Sequence, residues 1–260
     1  MSRRTRPGCA CRPCFDRRRR RQTMYDAIVI GGGPAGLMAA VYLARFRRSV
    51  ALVDAGNSRV ARIPQSHNYP GFVDGVSGVE VRDRLRAQAS RYPIAMVDGF
   101  VERAERRPGG FHLALSTGDI AGRLVLLATR VTHIPPAMPG VRAALEAGAL
   151  RYCPVCDAFE VADKAIGVYA DGEAGVAEAL YLRHYSGDVK LFMAYGGAQL
   201  TPAQRERLGA AGIGWNEAPV EAMRREGEQV VVVHAGRETR CQALYCALGV
   251  NVHSQIAESL

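Results

Sequence analysis

Short apolar runs alternate with amphipathic stretches along the chain, and this order predicts strands that alternate with helices. The first run, Ala27–Ile30, is followed by apolar residues at helical spacing from Leu37 to Leu43. A second run, SVALVDAG, ends in Asp54, and residues 80–91 again have a helical pattern. Strands that alternate with helices indicate an α/β fold with a parallel sheet.

Antiparallel meanders are predicted where apolar runs are separated only by turn formers. One comprises Val97–Glu105, Phe111–Ser116 and GRLVLLAT, and QVVVVHAGRETRCQALYCALG parallels it later in the chain. A second strand–loop–helix start, from Ala165–Tyr169 into GVAEALYL, is followed by the strand DVKLF. The chain therefore repeats itself, and we predict two Rossmann-like units, each with an antiparallel meander.

Glycines follow the first strand with the spacing of a dinucleotide-binding loop. Gly31, Gly33 and Gly36 permit a tight turn, a close approach of the diphosphate and close helix packing, and Pro34 and Ala35 complete the loop. The helix amino terminus offers N–H groups to phosphates. Asp54, at the end of the next strand, is placed to accept hydrogen bonds from a ribose, so the first unit is predicted to bind a dinucleotide.

The basic charge of the chain is confined to its first 23 residues. The formal charge is +9, and residues 1–23 hold nine Arg and one Asp, or +8, which leaves +1 for the remainder. We expect this segment to be a disordered tail, or to precede a true start at Met24. An arm for anionic polymers is the alternative, but the nearly neutral remainder does not favour nucleic-acid binding. Without an apolar run of eighteen residues or a secretory signal, no membrane association is expected.

Four cysteines lie outside the tail, and two of them form a C-x-x-C motif. A zinc site needs a second ligand pair, and Cys241 and Cys246 fit better as core residues of a buried antiparallel strand, so no metal is expected. This leaves a redox dithiol at Cys153 and Cys156, on a turn whose helix dipole stabilises a thiolate. Asp157 follows directly and is a candidate proton carrier. So few cysteines suit a reducing cytoplasm.

The motifs together resemble the low-molecular-weight thioredoxin reductase family, in its Cys-Pro-x-Cys-Asp branch of FAD-dependent oxidoreductases and dithiol oxidases. They are, in order, GGGPAG, the acid after the second strand, HNYPGF, LLAT, YCPVCDAFE and the second Rossmann-like unit. The resemblance implies FAD in the first unit, NADPH in the second, and a homodimer. It also implies that the substrate is a disulfide, either of a thioredoxin-like protein or of a small molecule.

The resemblance also implies roles for individual residues. Cys156 would lie against the flavin, Cys153 would exchange with the substrate, and Asp157 would be the acid/base. Asn68 would lie near the flavin. The segments around Val101 and Ala128–Thr129 would contact the FAD adenosine through their backbone.

The second unit departs from the family pattern. Its three glycine positions hold Ala170, Gly172 and Gly175, and no arginine cluster for a 2′-phosphate follows the next strand. Arg205 and Arg207 instead fit the solvated face of a helix. Elsewhere Arg130 and Ala158 replace family glycines. Binding of NADP through Gly172 and Gly175, and loss of that site, both stay open.

The end of the chain also differs from the family, which returns to the FAD domain and supplies a Gly-Asp motif. We therefore expect residues 24–142 to form the amino-terminal part of an FAD domain. Residues 143–250 would form an NAD(P)-binding-like domain with the C-x-x-C, and 251–260 would begin the return. The FAD half would be incomplete and the family pattern truncated. An NADPH-dependent reductase, a flavin dithiol oxidase and an inactive remnant are the three functions that this leaves.

Overall fold

The computed structural model describes residues 24–194 and 199–260, so the predicted tail lies outside the described residues. The first unit is a six-stranded sheet in the order β3-β2-β1-β6-β5-β4. Its elements are β1 (Met24–Ile30), α1 (Pro34–Arg45), β2 (Val50–Asp54), α2 (Gly78–Ala89), β3 (Ile94–Asp98), β4 (Val101–Arg107), β5 (Gly110–Leu115) and β6 (Gly118–Leu127); β7 (Val131–His133) follows. β1, β2, β3 and β6 run parallel, and β4 and β5 add the antiparallel meander.

Side chains of β1 alternate between two cores, because successive residues of a strand point to opposite faces. Val29 packs with Leu37 and its neighbours on α1, whereas Ile28 and Ile30 pack with the meander. The predicted strand, loop, helix and second strand are thus confirmed for the first unit, and its glycine loop lies where β1 meets α1.

The predicted strand Val97–Glu105 is in fact two strands. Val97 belongs to β3, which pairs in parallel with β2, and Val101 begins β4, which pairs antiparallel with β5. The chain turns between them at Gly99, whose φ of +155° favours glycine. The pattern of apolar residues was continuous across this turn, so it concealed the change of direction.

The second unit is a five-stranded parallel sheet in the order β11-β10-β9-β15-β8, with a separate antiparallel sheet β12-β13-β14. Its elements are α3 (Val141–Glu146), β8 (Leu150–Arg151), α4 (Pro154–Asp157), β9 (Ile166–Ala170), α5 (Gly172–Leu182), β10 (Val189–Met193), α6 (Pro202–Ala210), β11 (Gly214–Asn216), β12 (Val220–Glu226), β13 (Gln229–His234), β14 (Arg237–Cys241), β15 (Ala243–Ala247), β16 (Val250–Val252) and α7 (Gln255–Glu258). Two Rossmann-like units with meanders are therefore present, as the sequence predicts.

Cys241 and Cys246 were wrongly predicted to share one antiparallel strand. Cys241 ends β14, whereas Cys246 lies in β15, which pairs in parallel with β9. Gln242 lies between them, and its side-chain oxygen accepts a hydrogen bond from the backbone N–H of Ala165. This contact anchors the chain where it passes from the meander into the parallel sheet. Both thiols are buried, as predicted.

β7 and β16 form a two-stranded antiparallel ribbon that belongs to neither large sheet. Val131 pairs with Val252 and His133 with Val250. After the ribbon, Ile256 of α7 packs against the core of the first unit. The chain thus leaves the first unit on one strand of the ribbon and comes back to it along the other.

Candidate functional site

The glycine loop of the first unit packs tightly at the carboxyl end of β1. Gly31 has a φ of +116°, and a Cβ atom there would lie 2.3 Å from the carbonyl oxygen of Ala128. A Cβ atom on Gly36 would lie 1.9 Å from the carbonyl oxygen of Gly31. Only glycine fits at these two positions, because any side chain would overlap the backbone.

The amino terminus of α1 opens onto this loop. Gly33 is the N-cap and Pro34 begins the helix, so the N–H groups of Ala35 and Gly36 precede the first hydrogen bond of the helix, which Leu37 donates to Gly33. Ser58 adds a hydroxyl that is buried without a hydrogen-bond partner among the described residues. This oxygen lies 3.4 Å from the position of a Cβ on Gly33. An orphaned hydroxyl beside a helix amino terminus fits the diphosphate of FAD.

Asp54 ends β2 beside the loop and is 6% exposed. Its Oδ1 accepts a hydrogen bond from the N–H of Gly56 at 2.9 Å, and its Oδ2 is paired with Arg86 of α2. A Cβ on Gly32 would overlap the Asp54 carboxylate, so the carboxylate lies directly against the loop. The predicted ribose acceptor is therefore next to the glycines, and Arg86 is a partner that the sequence analysis missed.

Of the remaining predicted FAD residues of the first unit, Ala128 and Thr129 follow the carboxyl end of β6, whereas Val101 begins β4. Ala128 donates from its N–H to the carbonyl of Ile30 at 2.9 Å, which continues β6 beside β1. The hydroxyl of Thr129 donates to the carbonyl of His253 at 2.9 Å. Val101 is buried at the start of β4, and the N–H of nearby Gly99 donates to the carbonyl of Asp54. Their contacts with FAD stay predictions.

Asn68 connects the first unit to the redox turn. Its Nδ2 donates to the carbonyl of Val155 at 3.5 Å, and its Oδ1 accepts a hydrogen bond from the hydroxyl of Ser66 at 2.8 Å. Val155 lies between the two cysteines of the C-x-x-C motif. The loop predicted to lie near the flavin is thus in contact with the predicted redox centre.

Cys153 and Cys156 are joined by a disulfide, with their Cα atoms 5.2 Å apart. Cys153 is the N-cap of α4, and Pro154 begins that helix, as the predicted turn requires. Cys156 is the more exposed of the two. Val155 and Phe159, which are 74% and 80% exposed, leave an open apolar surface around the disulfide.

The carboxyl group of Asp157 is fixed by two side chains that the sequence analysis did not identify. Nη1 of Arg151 lies 3.0 Å from Oδ2, and the hydroxyl of Tyr245 donates to Oδ1 at 2.8 Å. Burial raises the pKa of Asp157, while the charge of Arg151 and the hydrogen bond from Tyr245 oppose the rise. A carboxyl group poised in this way beside a disulfide is suited to hold and release a proton.

The glycine loop of the second unit is acidic where that of the first unit is neutral. Ala170 is buried at the first glycine position, and Gly172 has a φ of +58°. Gly175 approaches closely, because a Cβ there would lie 2.9 Å from the Cβ of Ala170. The N-cap of α5 is Asp171, and Glu173 lies in its first turn. Two carboxylates at this helix end do not fit a dinucleotide diphosphate.

Among the described residues, no three His, Cys, Asp or Glu side chains form a group able to hold a metal ion. Cys246 Sγ donates weakly to the carbonyl of Ile134 at 3.8 Å. Burial raises the pKa of Cys241 and of Cys246 to about 12, so both thiols stay protonated at neutral pH.

Residues 25–260 match the family model described as pyridine nucleotide-disulphide oxidoreductase. The chain belongs to this family. Membership of the pyridine nucleotide-disulphide oxidoreductases supports FAD as the group that the first unit holds.

Curated relatives within the pyridine nucleotide-disulphide oxidoreductases are thioredoxin reductases. That of Treponema pallidum (strain Nichols) is 28% identical over 240 residues, which cover 88% of this chain and 78% of the relative. That of Mycolicibacterium smegmatis is 29% identical over 172 residues, which cover 65% of this chain and 55% of the relative. The chain thus spans little more than half the length of some of the curated relatives that it matches.

Solved structures confirm the α/β fold expected of a thioredoxin reductase-like protein. The crystal structure of HlmI is 31% identical, with a TM-score of 0.82 over 91% of this chain and 76% of that one. An oxidoreductase from Agrobacterium tumefaciens is 29% identical, with a TM-score of 0.79 over 91% of this chain and 79% of the other.

Over the described residues, no helix is long and apolar enough to cross a bilayer.

Proposed function

We propose that this chain is an FAD-dependent dithiol–disulfide oxidoreductase, in which Cys153 and Cys156 exchange two electrons with a disulfide substrate. The contact between Asn68 and Val155, at 3.5 Å, is the observation that supports this proposal most directly. It joins the loop of the unit that fits FAD to the residue between the two cysteines. A redox pair needs this proximity to its electron partner.

The cysteines divide the chemistry between them. FAD, when bound, supplies a two-electron donor or acceptor for the pair. With the pair reduced, the thiolate of Cys153 attacks the substrate disulfide and forms a mixed disulfide, and one substrate thiol leaves. The thiolate of Cys156 then attacks Cys153, which closes the internal disulfide and releases the second thiol. Two electrons and two protons pass to the substrate, and the exposed amino end of α4 stabilises the thiolates.

Asp157 is proposed to carry the proton of this exchange. It follows Cys156 in the chain, and its pKa is raised by burial. The raised pKa brings the carboxyl group closer to the pH at which thiols gain and lose protons. Arg151 and Tyr245 hold the carboxyl group in place and keep the ionised form accessible.

Substrate, assembly and domain boundaries are proposed from the resemblance. The disulfide belongs to a thioredoxin-like protein or to a small molecule, and the chain forms a homodimer in the cytoplasm. Two buried free thiols, Cys241 and Cys246, agree with a reducing compartment. The FAD-binding part comprises residues 24–142 and the second domain residues 143–250.

A flavin dithiol oxidase is the second candidate function, and the acidic loop of the second unit favours it. A dithiol substrate would then reduce the Cys153–Cys156 disulfide, and FAD, when bound, would supply the route by which the two electrons leave the cysteine pair for dioxygen. Glu173 and Asp171 stand where the diphosphate of NADPH would approach α5. The two candidates therefore differ in the electron donor and share the cysteine pair.

One anaerobic preparation separates the candidates. The purified chain is incubated with FAD, desalted, and examined for a flavin spectrum before and after addition of NADPH or dithiothreitol. Bleaching by dithiothreitol, and its loss in a Cys153→Ser, Cys156→Ser double variant, supports the proposed cysteine pathway. Bleaching by NADPH supports the reductase, whereas bleaching by the dithiol alone, with oxygen uptake in air, supports the oxidase. A preparation that stays colourless with excess FAD contradicts both.

A further inference from the structure

The loop between β9 and α5 is closed by its own side chains. Glu173 projects from the first turn of α5 toward α6, where Nη1 of Arg207 lies 2.6 Å from its Oε1. The side-chain amide of Gln204 donates to its Oε2 at 3.1 Å. Both oxygens of the Glu173 carboxylate are therefore held by α6, and the pKa of Glu173 lies below its usual range because of these hydrogen bonds. The carboxylate is thus ionised at neutral pH.

A second acid in the same loop is also engaged. Oδ1 of Asp171 accepts a hydrogen bond from the N–H of Ala194 at 3.0 Å, which ties the loop to the end of β10. With Glu173, Asp171 brings two negative charges to the amino terminus of α5. A nucleotide diphosphate would bind at the same helix end, because the N–H groups and the dipole of the helix attract anions there.

Both arginines of α6 are already paired with carboxylates. Arg207 is paired with Glu173, and Arg205 makes two hydrogen bonds to Glu217, at 2.7 and 2.8 Å. The sequence predicts that both lie on a solvated helix face. Their pairing has a different consequence, because a 2′-phosphate would have to compete with a carboxylate for each guanidinium.

We infer that Glu173 is a specificity-determining residue that excludes NADP(H) from the second unit. It adds a negative charge to the first turn of the helix whose amino terminus a diphosphate requires, and it holds Arg207 in an ion pair. The second unit then serves as a scaffold for the redox turn, with α4 packed on α5, rather than as a dinucleotide site. This inference rests on the proposed function. Its consequence is that electrons reach FAD through Cys153 and Cys156.

Titration calorimetry of the FAD-loaded full chain with NADP⁺ tests the inference without relying on turnover. The wild-type chain is expected to bind NADP⁺ with a Kd of about 0.1 mM or weaker. Glu173→Gln removes one negative charge and releases Arg207, so its Kd is expected to fall by about tenfold. Glu206→Gln, which removes a carboxylate from exposed α6 without touching the loop, is the matched control and keeps the wild-type Kd.

Arg207→Gln provides the opposite test. It leaves Glu173 charged and without its guanidinium partner, so NADP⁺ is expected to bind no better than to the wild type. Micromolar binding by the wild-type chain, no gain in Glu173→Gln, or a gain in Arg207→Gln would each overturn the inference. Thermal unfolding of each variant shows whether it is folded, and a second variant, Glu173→Ser, replaces Glu173→Gln if that one unfolds.

The proposed function and the role of Glu173 can be refuted separately in this experiment. Flavin content and bleaching by dithiothreitol are measured on the same preparations. A colourless protein, or one that dithiols do not bleach, contradicts the proposed function and leaves the NADP⁺ titrations interpretable. Dithiol bleaching combined with micromolar NADP⁺ binding leaves the proposed function intact and refutes the role of Glu173.

Discussion

Tyr245 donates a hydrogen bond to Oδ1 of Asp157 over 2.8 Å, although 88 residues separate the two in the sequence. Tyr245 lies in β15, between β9 and β8 of the second sheet, and is fully buried. Burial and the neighbouring charge of Asp157 raise the pKa of the Tyr245 phenol, which stays a donor at every physiological pH. The proton carrier that we propose is therefore supported by the rigid core of its own unit.

Tyr245→Phe is expected to raise the pKa of Asp157 further, because the lost hydrogen bond favours the ionised carboxylate. The rate at which dithiothreitol bleaches the flavin depends on pH, and the midpoint of this pH profile should then rise by about one unit. Stopped-flow absorbance from pH 5 to pH 9 measures the shift. Tyr181→Phe, which breaks a hydrogen bond to Tyr185 on an exposed helix face, should leave the profile unchanged. An unshifted profile in Tyr245→Phe would show that Asp157 does not carry the proton.

The two cysteines are expected to differ in their effect on the flavin spectrum. If Cys156 lies against the flavin, its thiolate gives a long-wavelength charge-transfer band in the Cys153→Ser variant. The Cys156→Ser variant should lack this band, because the remaining thiol faces the substrate. Absorbance spectra at pH 8 of both FAD-loaded variants decide the assignment, and a band in Cys156→Ser would reverse the two roles.

Ser58→Ala is expected to weaken FAD binding without destabilising the protein that lacks FAD. The Ser58 hydroxyl is buried and has no hydrogen-bond partner in the described part of the chain, so its loss removes no existing bond. A hydrogen bond to a phosphate oxygen is worth about 1.5 kcal/mol, so the Kd for FAD should rise by about tenfold.

Quenching of FAD fluorescence measures this Kd, and thermal unfolding without FAD measures the stability. Ser90→Ala is the control, since its exposed hydroxyl donates to the carbonyl of Ala87 at 2.8 Å at the carboxyl end of α2. Equal FAD affinity in Ser58→Ala and in the wild type would place the diphosphate elsewhere.

Glu178 is expected to make the stability of the chain depend on pH. Burial raises its pKa from 4.5 to about 7, and its Oε1 is buried with no partner among the described residues. Between these two values the folded state binds the proton more tightly than the unfolded state. The free energy of unfolding therefore falls as the pH rises from about 4.5 to about 7, and the full penalty persists above pH 7.

Glu178→Gln removes this penalty, because an amide cannot ionise. At pH 8 the variant should be more stable than the wild type by about 1–2 kcal/mol, since Glu178 is only half-buried. At pH 4.5 the two proteins should be nearly equal. Urea unfolding at both pH values tests this, and a variant that is less stable at pH 8 would indicate a hidden partner for the carboxylate.

Local features were predictable from the sequence, and long-range partners were not. The loop from Gly31 to Gly36 depends on the spacing of glycines, and the turn at Cys153 depends on the proline beside it. Arg86, Arg151 and Tyr245 left no comparable signal. Each is an ordinary residue type for the helix or strand in which it lies. Only the folded chain brings it into contact with Asp54 or Asp157.

Two of the differences have one physical cause, which is that an apolar pattern does not record a change of strand partner. The run across Gly99 continued while the chain passed from β3 to β4, and the run across Gln242 continued while it passed from β14 to β15. The acidic loop at Glu173 is a third case. The acidic residues were evident in the sequence, but the ion pair between Glu173 and Arg207 was not, because it joins two separate helices.

The ribbon of β7 and β16 has a mechanical consequence. Both crossings between the two units run side by side and are hydrogen-bonded to each other, and the hydroxyl of Thr132 is 2.8 Å from Nε2 of His253. Two independent linkers would allow one unit to rotate while either linker changed its conformation. Here the two crossings are hydrogen-bonded to each other, so a rotation of one is transmitted to the other. The units therefore reorient only about the axis of the ribbon.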